Sequence, residues 1–339
     1  MDINQKFLQE KLQDSCSILS VISQEEDETA WLATRTKGIG GSDVGAICGV
    51  NNWSSARQIY LRKTGQFTED VSDASKQRMH WGHMLEPIVA DEFERQHPGL
   101  ICIEAGATFK SNKYEYLLAN VDRFVISEED EIVGILECKT ANEMMNEEWA
   151  SGEVPISYFY QVQHYLYVTG IERAWICCLV GGNKFYTYDI FFDEQLYTSV
   201  ILPKLDNFWN NCVLKLQEPE LQGSDNALLD SLFGADTVEE ESLELGDTKY
   251  DQLGDRYMAL KAEIKEKEKE LEAVKAEIKE TLQTHTKAYT PSYEITWSPR
   301  SRSSVDSSLL KASYPEVYEA CLKVSSYRQI GVKRVVEEV

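Results

Sequence analysis

Residues 131–139 form an apolar run, EIVGILECK, that ends abruptly in an acid and a base. An apolar run of this length with charged ends predicts a buried β-strand. Two further strand-like runs follow at 174–180 (AWICCLV) and 185–192 (FYTYDIFF), and a helical pattern at 158–169 precedes them. The sequence GGN at 181–183 predicts a hairpin turn between these two strands. Strands that alternate with helices predict an α/β (α+β) core in which helices flank a central mixed sheet.

Composition divides the chain into three parts. Residues 1–217 carry the signals of a globular domain, although residues 1–30 within them are polar and predicted to be helical. Residues 218–247 contain ten Asp or Glu and no Lys or Arg, which predicts an acidic linker with one short docking helix near 228–233. Residues 248–339 form a C-terminal region with a different pattern.

The C-terminal region begins with a heptad repeat. Apolar residues at alternating spacings of three and four predict a long coiled helix with a seam for a partner helix. The seam residues are Tyr250, Leu253, Tyr257, Leu260, Ile264, Lys267, Leu271, Val274 and Ile278, of which Lys267 is the polar exception. The partner is left open between the same chain, another subunit and another protein. Beyond the helix, YEITW at 293–297 predicts a strand, and residues 313–325 predict a short helix.

Export and membrane insertion are not expected. The first twenty residues contain no apolar core of a signal peptide, and the chain has no stretch of about 18 apolar residues. The eight cysteines lie at scattered spacings without a CxxC pair, which is typical of reduced thiols in the cytoplasm. A hydrophobic content of 42% supports a packed core.

The net charge of −23 argues against strong binding of duplex DNA by the whole surface, because phosphates attract Lys and Arg. Nearly half of the excess lies in the predicted acidic linker. Carboxylates that bind metal ions add further acidity for a chemical purpose. Binding of DNA therefore requires a small basic site or an enclosed channel.

Asp122 and the triplet Glu137-Cys138-Lys139 are the central candidates for chemistry. Two neighbouring strands can place both carboxylates at one end of a sheet. Phosphodiester hydrolysis requires a hard cation that lowers the pKa of bound water, and Mg²⁺ prefers oxygen ligands. We therefore predict that Asp122, Glu137 and the Cys138 backbone carbonyl bind Mg²⁺, or alternatively Mn²⁺, and that Lys139 orients or activates the attacking water. Taken alone, the pattern is also typical of a solvated strand end.

Two glycine-containing segments upstream add candidates. Residues 38–43 (GIGGSD) predict a turn with exposed amides that opens a helix, where Arg35 and Ser42 can bind a phosphate. The alternative is a glycine turn with an ordinary helix cap. Residues 79–87 (MHWGHMLEP) predict the start of a second helix, on which Glu86 can face the metal site. The alternative for Glu86 is a carboxylate that favours the helix dipole.

Gln161 and Tyr165 are four residues apart within the helical pattern at 158–169, so they share one face of that helix. The amide of Gln161 can orient a DNA phosphate or the attacking water. Tyr165 can pack in the core or contact the DNA backbone. An ordinary helix surface is the alternative.

The order of these motifs resembles that of the YqaJ-type viral recombinase family, relatives of lambda exonuclease among the PD-(D/E)xK nucleases. The resemblance spans roughly residues 31–188. It rests on Arg35, GIGGSD at 38–43, GxxxE at 82–86, Asp122, ExK at 137–139 and QxxxY at 161–165. The C-terminal region also resembles one often attached to these nucleases. The chain differs from lambda exonuclease at Asn120, where that enzyme has a hydroxyl side chain, and no Arg follows Lys139 closely.

The resemblance implies a restriction-endonuclease-like core and a Mg²⁺-dependent exonuclease. Such an enzyme would degrade one strand of double-stranded DNA from its ends, 5′ to 3′, and leave 3′ overhangs for a single-strand annealing recombinase. The implied catalytic residues are Asp122, Glu137, Lys139, Glu86, Gln161 and Tyr165, the implied metal ligands are Asp122, Glu137, the Cys138 carbonyl and Glu86, and the implied 5′-phosphate site is Arg35 and Ser42. A homo-oligomer, a trimeric ring with DNA in its channel, is implied in the cytoplasm of a bacterial host. The cysteine spacings do not match the four-cysteine pattern of some related nucleases, so we expect no iron–sulfur cluster.

Two other functions are left open. One is another nuclease of the same superfamily, an endonuclease or a repair nuclease, which strict dependence on a free DNA end would distinguish. The other is a non-catalytic DNA-binding scaffold with the long helix as its main element. The presence of all the expected carboxylates and of the lysine argues against the scaffold.

Overall fold

A computed structural model defines the fold and describes residues 1–22, 27–67, 72–234, 242–324 and 326–335. The chain divides into two compact units, Met1–Leu229 and Asp230–Val339. The division falls inside the segment that we predicted to be an acidic linker. The first part of that segment belongs to the first unit, where the carboxylate of Asp225 is buried against the Ser55 hydroxyl.

The first unit contains strands and helices in alternation. Its strands are β1 (Cys16–Ser20), β2 (Leu100–Ile103), β3 (Thr108–Ser111), β4 (Leu118–Ala119), β5 (Arg123–Ser127), β6 (Ile132–Ala141), β7 (Arg173–Val180) and β8 (Lys184–Phe191). Its helices are α1 (Ile3–Leu12), α2 (Glu28–Arg35), α3 (Gly41–Ile47), α4 (Ala56–Lys63), α5 (Asp73–Gln96), α6 (Asn146–Ala150), α7 (Ile156–Thr169), α8 (Glu194–Leu196) and α9 (Leu202–Asn207). Helix α10 (Asn226–Leu232) crosses the division between the units.

Five of these strands form the central sheet, in the order β2-β5-β6-β7-β8. Strands β6 and β7 are parallel, and the other neighbours are antiparallel. The predicted fold class, a central mixed sheet flanked by helices, is thus confirmed. Strands β1, β3 and β4 form a second, smaller antiparallel sheet.

Helix α5 packs its apolar side on one face of the central sheet. The buried residues of this layer are Val89, Ala90, Phe93, Val125, Leu136, Trp175 and Cys177. The helix begins at Asp73, earlier than the start near 79–87 that we predicted. The Ser72 hydroxyl accepts a hydrogen bond from the Ser75 amide and so caps the start of the helix. Pro87 therefore lies inside the helix rather than in its first turn.

Helix α7 lies on the opposite face, because successive strand residues point to opposite sides of a sheet. Leu136 faces α5, whereas the next residue, Glu137, contacts Gln161 of α7. The parallel pair β6 and β7 requires a crossover connection, and α6 and α7 supply it. The predicted helix at 158–169 corresponds to α7.

The predicted hairpin turn joins β7 to β8. Val180 pairs with Lys184 across the turn. Gly181 and Gly182 both adopt positive φ angles, 61° and 78°, which residues with a Cβ atom rarely adopt.

The prediction that residues 1–30 are helical is wrong in part. Helix α1 ends at Leu12, and Cys16–Ser20 forms strand β1, which pairs with β3. The local pattern of the segment did not indicate this strand. Strand β1 is stabilised by pairing with residues that lie about 90 positions later in the chain, which a local pattern does not show.

The second unit contains one long helix and short elements. They are α11 (Thr248–Leu282), β9 (Lys287–Tyr289), β10 (Glu294–Thr296), α12 (Ser307–Ser313) and α13 (Pro315–Cys321). The predicted long helix and the strand in YEITW are thus present. The predicted helix at 313–325 is shorter, and a separate helix, α12, precedes it. Within the described ranges, no helix is both long and apolar enough for a membrane span.

Candidate active site

The site is built where strand β6 extends past strand β5. Pairing between the two strands stops at Arg123 and Leu136, but β6 continues to Ala141 alongside β7. Asp122 lies immediately before β5, and its Oδ2 atom accepts the Cys138 amide proton at 2.8 Å. The Asp122 side chain thus takes the place of the missing strand. Because the N–H and C=O groups of one strand residue point to the same side, the Cys138 carbonyl is directed towards Asp122.

Glu137 is the most buried charged residue of the site, with 1% of its surface exposed. Its Oε1 atom accepts the Gln161 Nε2 proton at 2.6 Å and a bond from the Lys139 ammonium group. Its Oε2 atom is buried and has no hydrogen-bond partner among the described residues. A buried carboxylate oxygen without a partner is costly, which makes this atom a candidate for a cation ligand.

Lys139 lies on the same face of β6 as Glu137 and forms an ion pair with it. Its Nζ atom is 5.0 Å from the centre of the Tyr158 ring, a cation–π arrangement. Tyr158 was not among the predicted site residues. No sequence motif marks it, since it lies on α7, one turn before Gln161.

Glu86 reaches the site from α5, but Arg123 holds it. The Arg123 guanidinium donates to the Glu86 carboxylate and, at 2.6 Å, to the Asp122 carbonyl oxygen. Its other nitrogen lies 3.6 Å from Glu104. Arg123 was not among the predicted site residues, although the sequence shows an arginine directly between the candidate aspartate and the apolar run at 124–126.

The carboxylates are close enough to affect one another's protonation. The pKa of Glu137 is raised to about 8, first by burial and then by the charge of Asp122, while Lys139 acts in the opposite direction. Burial and the charge of Asp122 also raise the pKa of Glu86, against the effect of Arg123. Burial by itself would lower the pKa of Lys139, but Glu137 and Asp122 outweigh it and hold this pKa above its ordinary value.

The donors of this site fit a hard divalent cation. In the part of the chain that the structure describes, no three His, Cys, Asp or Glu side chains are grouped so that they could hold a metal ion, and Glu86 is paired with Arg123. Asp122, Glu137 and the Cys138 carbonyl are all oxygen donors, as Mg²⁺ requires. The unpartnered oxygen of Glu137 and the repulsion between the carboxylates are both relieved when a cation binds.

Gln161 and Tyr165 connect this centre to the glycine turn before α3. The Gln161 amide donates to the Tyr165 hydroxyl at 3.0 Å as well as to Glu137. A Cβ atom at position 41 would lie 2.4 Å from the Tyr165 ring, so glycine is required for this approach. The predicted pairing of Gln161 and Tyr165 on one helix face is present, and Tyr165 is buried rather than exposed to a ligand.

Arg35 and Ser42 lie together at the start of α3. The Arg35 Nη2 atom donates to the Ser42 hydroxyl at 2.6 Å, and the guanidinium carbon lies 4.6 Å from the centre of the Trp31 ring. Ser42 is one residue from Gly41, which contacts Tyr165. The two groups of predicted residues thus meet on the same side of α7.

A buried ion pair that sequence reasoning missed supports the arginine. Lys63 and Asp43 form this pair at 2.7 Å, and their side chains are only 6% and 7% exposed. Lys63 also donates to the Arg35 carbonyl oxygen at 2.7 Å. Asp43 accepts the Gly40 amide proton at 3.1 Å, so it caps α3 from within the helix. Burial opposes ionisation of Asp43, but Lys63 and Arg35 outweigh it and lower the pKa of Asp43.

A buried histidine joins α7 to strand β4. The two ring nitrogens of His164 lie 2.9 Å from the Tyr197 hydroxyl and 3.0 Å from the Leu118 carbonyl oxygen. A neutral ring satisfies both contacts, because one nitrogen accepts and the other donates. Burial lowers the pKa of His164 to about 4.

We expect this histidine to make stability depend on pH between 6.5 and 4. Its folded pKa lies below the unfolded value, so the stabilisation is complete above about pH 6.5 and is lost as the pH falls through 4. The loss amounts to roughly 3 kcal/mol, on top of the effect of the carboxylates. Urea unfolding at pH 7 and pH 4.5 measures it.

A His164→Gln variant retains a donor and an acceptor but does not titrate. It should lose correspondingly less stability over the same pH interval, whereas His80→Gln, a change at the exposed surface, should behave as the unaltered protein does. Equal pH dependence in the His164→Gln variant and the unaltered protein would contradict this account.

Together the fold and the site define an α/β protein with a carboxylate and lysine centre at the end of a mixed sheet. The chain belongs to the YqaJ-like viral recombinase family, so the family predicted from the order of the motifs is confirmed. The domain of that description matches residues 30–172. The protein described as Uncharacterized protein YqaJ of Bacillus subtilis (strain 168) is 34% identical over 317 residues, which cover 92% of this chain and 96% of that protein.

Solved structures with a detectable likeness include two exonucleases. An alkaline exonuclease, LHK-Exo, from Laribacter hongkongensis has 20% sequence identity and a TM-score of 0.45, and the match covers 56% of this chain and 94% of that chain. A phage-related exonuclease from Haemophilus somnus 129PT has 11% identity and a TM-score of 0.41, and the match covers 55% of this chain and 99% of that chain. Likenesses at this level support no conclusion about this chain.

Proposed function

We propose that the protein is a divalent-metal-dependent deoxyribonuclease that degrades one strand of duplex DNA from a free end, 5′ to 3′. One observation carries the proposal: the buried Glu137 carboxylate has one oxygen held by Gln161 and Lys139 and the other without a partner. Together with Asp122, this arrangement provides oxygen ligands for a hard cation, and it places the Lys139 ammonium group, a cationic hydrogen-bond donor, beside them. Phosphodiester hydrolysis requires that combination.

Each residue of the centre then has a separate task. Asp122, Glu137 and the Cys138 carbonyl would hold Mg²⁺ or Mn²⁺, and Glu86 would join them if it leaves Arg123. When bound, the cation polarises the scissile phosphate and lowers the pKa of the attacking water. The Lys139 ammonium group would orient that water and donate hydrogen bonds to the phosphoryl oxygens on which charge develops.

The remaining residues position these groups. Gln161 donates to Glu137 Oε1 and so fixes the carboxylate with its second oxygen free to bind. Tyr165 supports Gln161 through its hydroxyl group and fixes the start of α3 through its ring. Both are therefore proposed to act through other residues, without touching the substrate.

Arg35 and Ser42 are proposed to bind the 5′ phosphate of the DNA end. The guanidinium can exchange its bond to the Ser42 hydroxyl for bonds to a phosphate, and the hydroxyl can then donate to the same group. The contact of the neighbouring Gly41 with Tyr165 of α7 supports the proposal that an anchored DNA end would lie near the centre. The 5′-to-3′ direction rests on the resemblance of the motif order.

The same resemblance supports the wider role. We propose that the protein acts in the cytoplasm of a bacterial host, as a ring-shaped homo-oligomer, and that a single-strand annealing recombinase takes up the 3′ overhangs. A closed ring also reconciles DNA binding with the net charge of −23, because positive potential would be confined to the channel.

Digestion of linear duplex DNA beside a covalently closed circle tests the function. With Mg²⁺, we expect loss of the linear DNA alone, and no loss in the presence of a chelator. Substrates labelled at one end report the direction, and 5′-phosphate ends should be preferred over 5′-hydroxyl ends. The Arg35→Gln variant should lose this preference, whereas Arg95→Gln, which alters an exposed pair with Glu92, should keep it.

Three results would contradict different parts of this proposal. Cutting of the circle would indicate an endonuclease of the same superfamily. DNA binding without any cutting would indicate a scaffold. An unchanged preference for phosphorylated ends in Arg35→Gln would remove Arg35 from the end site while leaving the nuclease in place.

A further inference from the structure

Helix α11 exposes an apolar seam along its length. Leu253, Leu260, Ile264, Leu271 and Val274 are between 40% and 61% exposed. Near its C-terminal end the helix is covered, since Leu282 is buried at 3% exposure, and Tyr257 and Ile278 of the seam are half-buried. A row of exposed leucine, isoleucine and valine at heptad spacing is typical of a helix that packs against another helix.

The charges that flank the seam are segregated along the helix. At the heptad position that precedes the first apolar residue of each repeat, the sequence has Lys249 and Arg256, followed by Glu263, Glu270 and Glu277. This row is thus basic at the start of the helix and acidic at its end. In a parallel pair of helices, each residue of this row faces the residue five places later in the partner. In an antiparallel pair, each residue of this row faces a residue of the same row in the partner, so the basic start of one helix lies opposite the acidic end of the other.

We propose that α11 pairs with α11 of a second copy of this chain, antiparallel, with a two-fold axis near Glu263. In this register, Arg256 faces the partner's Glu270, and Lys249 faces the partner's Glu277. A parallel pair would instead oppose Arg256 to the partner's Lys261, a repulsive contact. Charge complementarity thus selects the antiparallel arrangement.

The apolar layers of the same register are also complementary. Leu260 faces the partner's Ile264, and Leu253 faces the partner's Leu271. The single polar seam residue, Lys267, faces the partner's Tyr257, where its ammonium group can lie over the ring. A shift by one heptad in one direction would place Lys267 against the partner's Ile264 and leave the charge unsatisfied. The opposite shift would place Lys267 against the partner's Tyr250 but would leave Leu271 and Val274 beyond the start of the partner helix at Thr248.

Two like-charge contacts remain in this register, and both lie near the axis. Glu263 faces its own copy, and so does Lys261 on the other side of the seam. Both side chains are at the exposed rim of the seam, where water and salt screen the repulsion. The attractive pairs occur twice each by symmetry, so they outnumber the repulsive ones.

Among the described residues 326–335, two contact α11 beside its apolar seam. Val332 approaches Gly254, and Arg334 pairs with Asp255 at 2.7 Å. Both contacts lie beside the seam rather than on its apolar positions.

Charge reversal in the full-length protein tests the proposal. Arg256→Glu and Glu270→Arg should each halve the mass of the assembly measured by sedimentation at micromolar concentration, since each places like charges opposite each other twice. An equimolar mixture of the two variants should regain the mass of the unaltered protein, because every mixed pair joins opposite charges. The expected fall is from two copies to one, or, if the first unit forms a ring, from two rings joined by α11 pairs to one ring. Neither outcome depends on DNA cleavage, so failure of this proposal and failure of the proposed function are distinguishable.

Cross-linking gives a second measurement that does not depend on charge. With the exposed Cys321 replaced by serine, a cysteine in Glu263→Cys should form a disulfide between copies, because position 263 faces itself across the axis. Leu271→Cys should form none, whereas a parallel pair would link it readily. An unaltered mass in Arg256→Glu, no recovery in the mixture, or a link through position 271 would overturn the proposal.

Discussion

Replacing Lys139 by methionine is expected to lower the rate of DNA cleavage roughly 10³-fold at saturating Mg²⁺. Methionine matches the length of the lysine stem but has no charge and no proton to donate. The variant therefore loses the cation that faces Glu137 and the group that orients the attacking water. The measurement is the initial rate of release of nucleotides from linear duplex DNA with a 5′ phosphate.

Lys11→Met is the matched control. Lys11 also pairs with a carboxylate, Glu131 at 2.8 Å, but this pair lies at the opposite end of β6. The Lys11→Met variant should cut DNA at nearly the rate of the unaltered protein. If Lys139→Met cuts within tenfold of the unaltered protein while remaining folded, Lys139 has no direct part in the reaction.

Loss of Lys63 is expected to have the largest effect on stability, because it leaves the Asp43 carboxylate buried without its ion pair. Removal of one member of a buried pair costs roughly 3–5 kcal/mol. Lys63→Met should show this loss in urea unfolding followed by tryptophan fluorescence. The variant should also bind 5′-phosphate ends more weakly, since Lys63 holds the Arg35 carbonyl oxygen.

Two further variants separate the buried charge from other causes. Asp43→Asn combined with Lys63→Met removes both charges, and it should be more stable than Lys63→Met alone by at least about 1 kcal/mol. Lys110→Met breaks a more exposed pair with Glu115, 3.5 Å long, and should cost less than about 1 kcal/mol. If Lys63→Met and Lys110→Met lower the free energy of unfolding equally, the buried pair stabilises the fold no more than the exposed pair does.

The local sequence determined the elements with strong, continuous patterns. The apolar runs at 131–139 and 174–180 became the two parallel central strands, and the heptad repeat became α11, because burial and helix periodicity act through near neighbours in the chain. The GGN turn is equally local, since only glycine adopts its backbone angles readily. Glu137 and Lys139 could also be recognised from the local sequence, because they directly follow the apolar part of β6.

The tertiary structure alone decided how these residues meet. That Asp122 covers the Cys138 amide follows from where β5 stops pairing with β6, which no local pattern specifies. Arg123 holds Glu86, Lys63 neutralises Asp43 and His164 links α7 to β4, and each of these contacts joins parts of the chain that are far apart in sequence. Burial turns such contacts into strong constraints, because an ionised or polar group without a partner is costly in a packed interior. The sequence therefore determined which groups are available for chemistry, whereas packing between distant segments decided which of them are paired and which oxygen of Glu137 remains free.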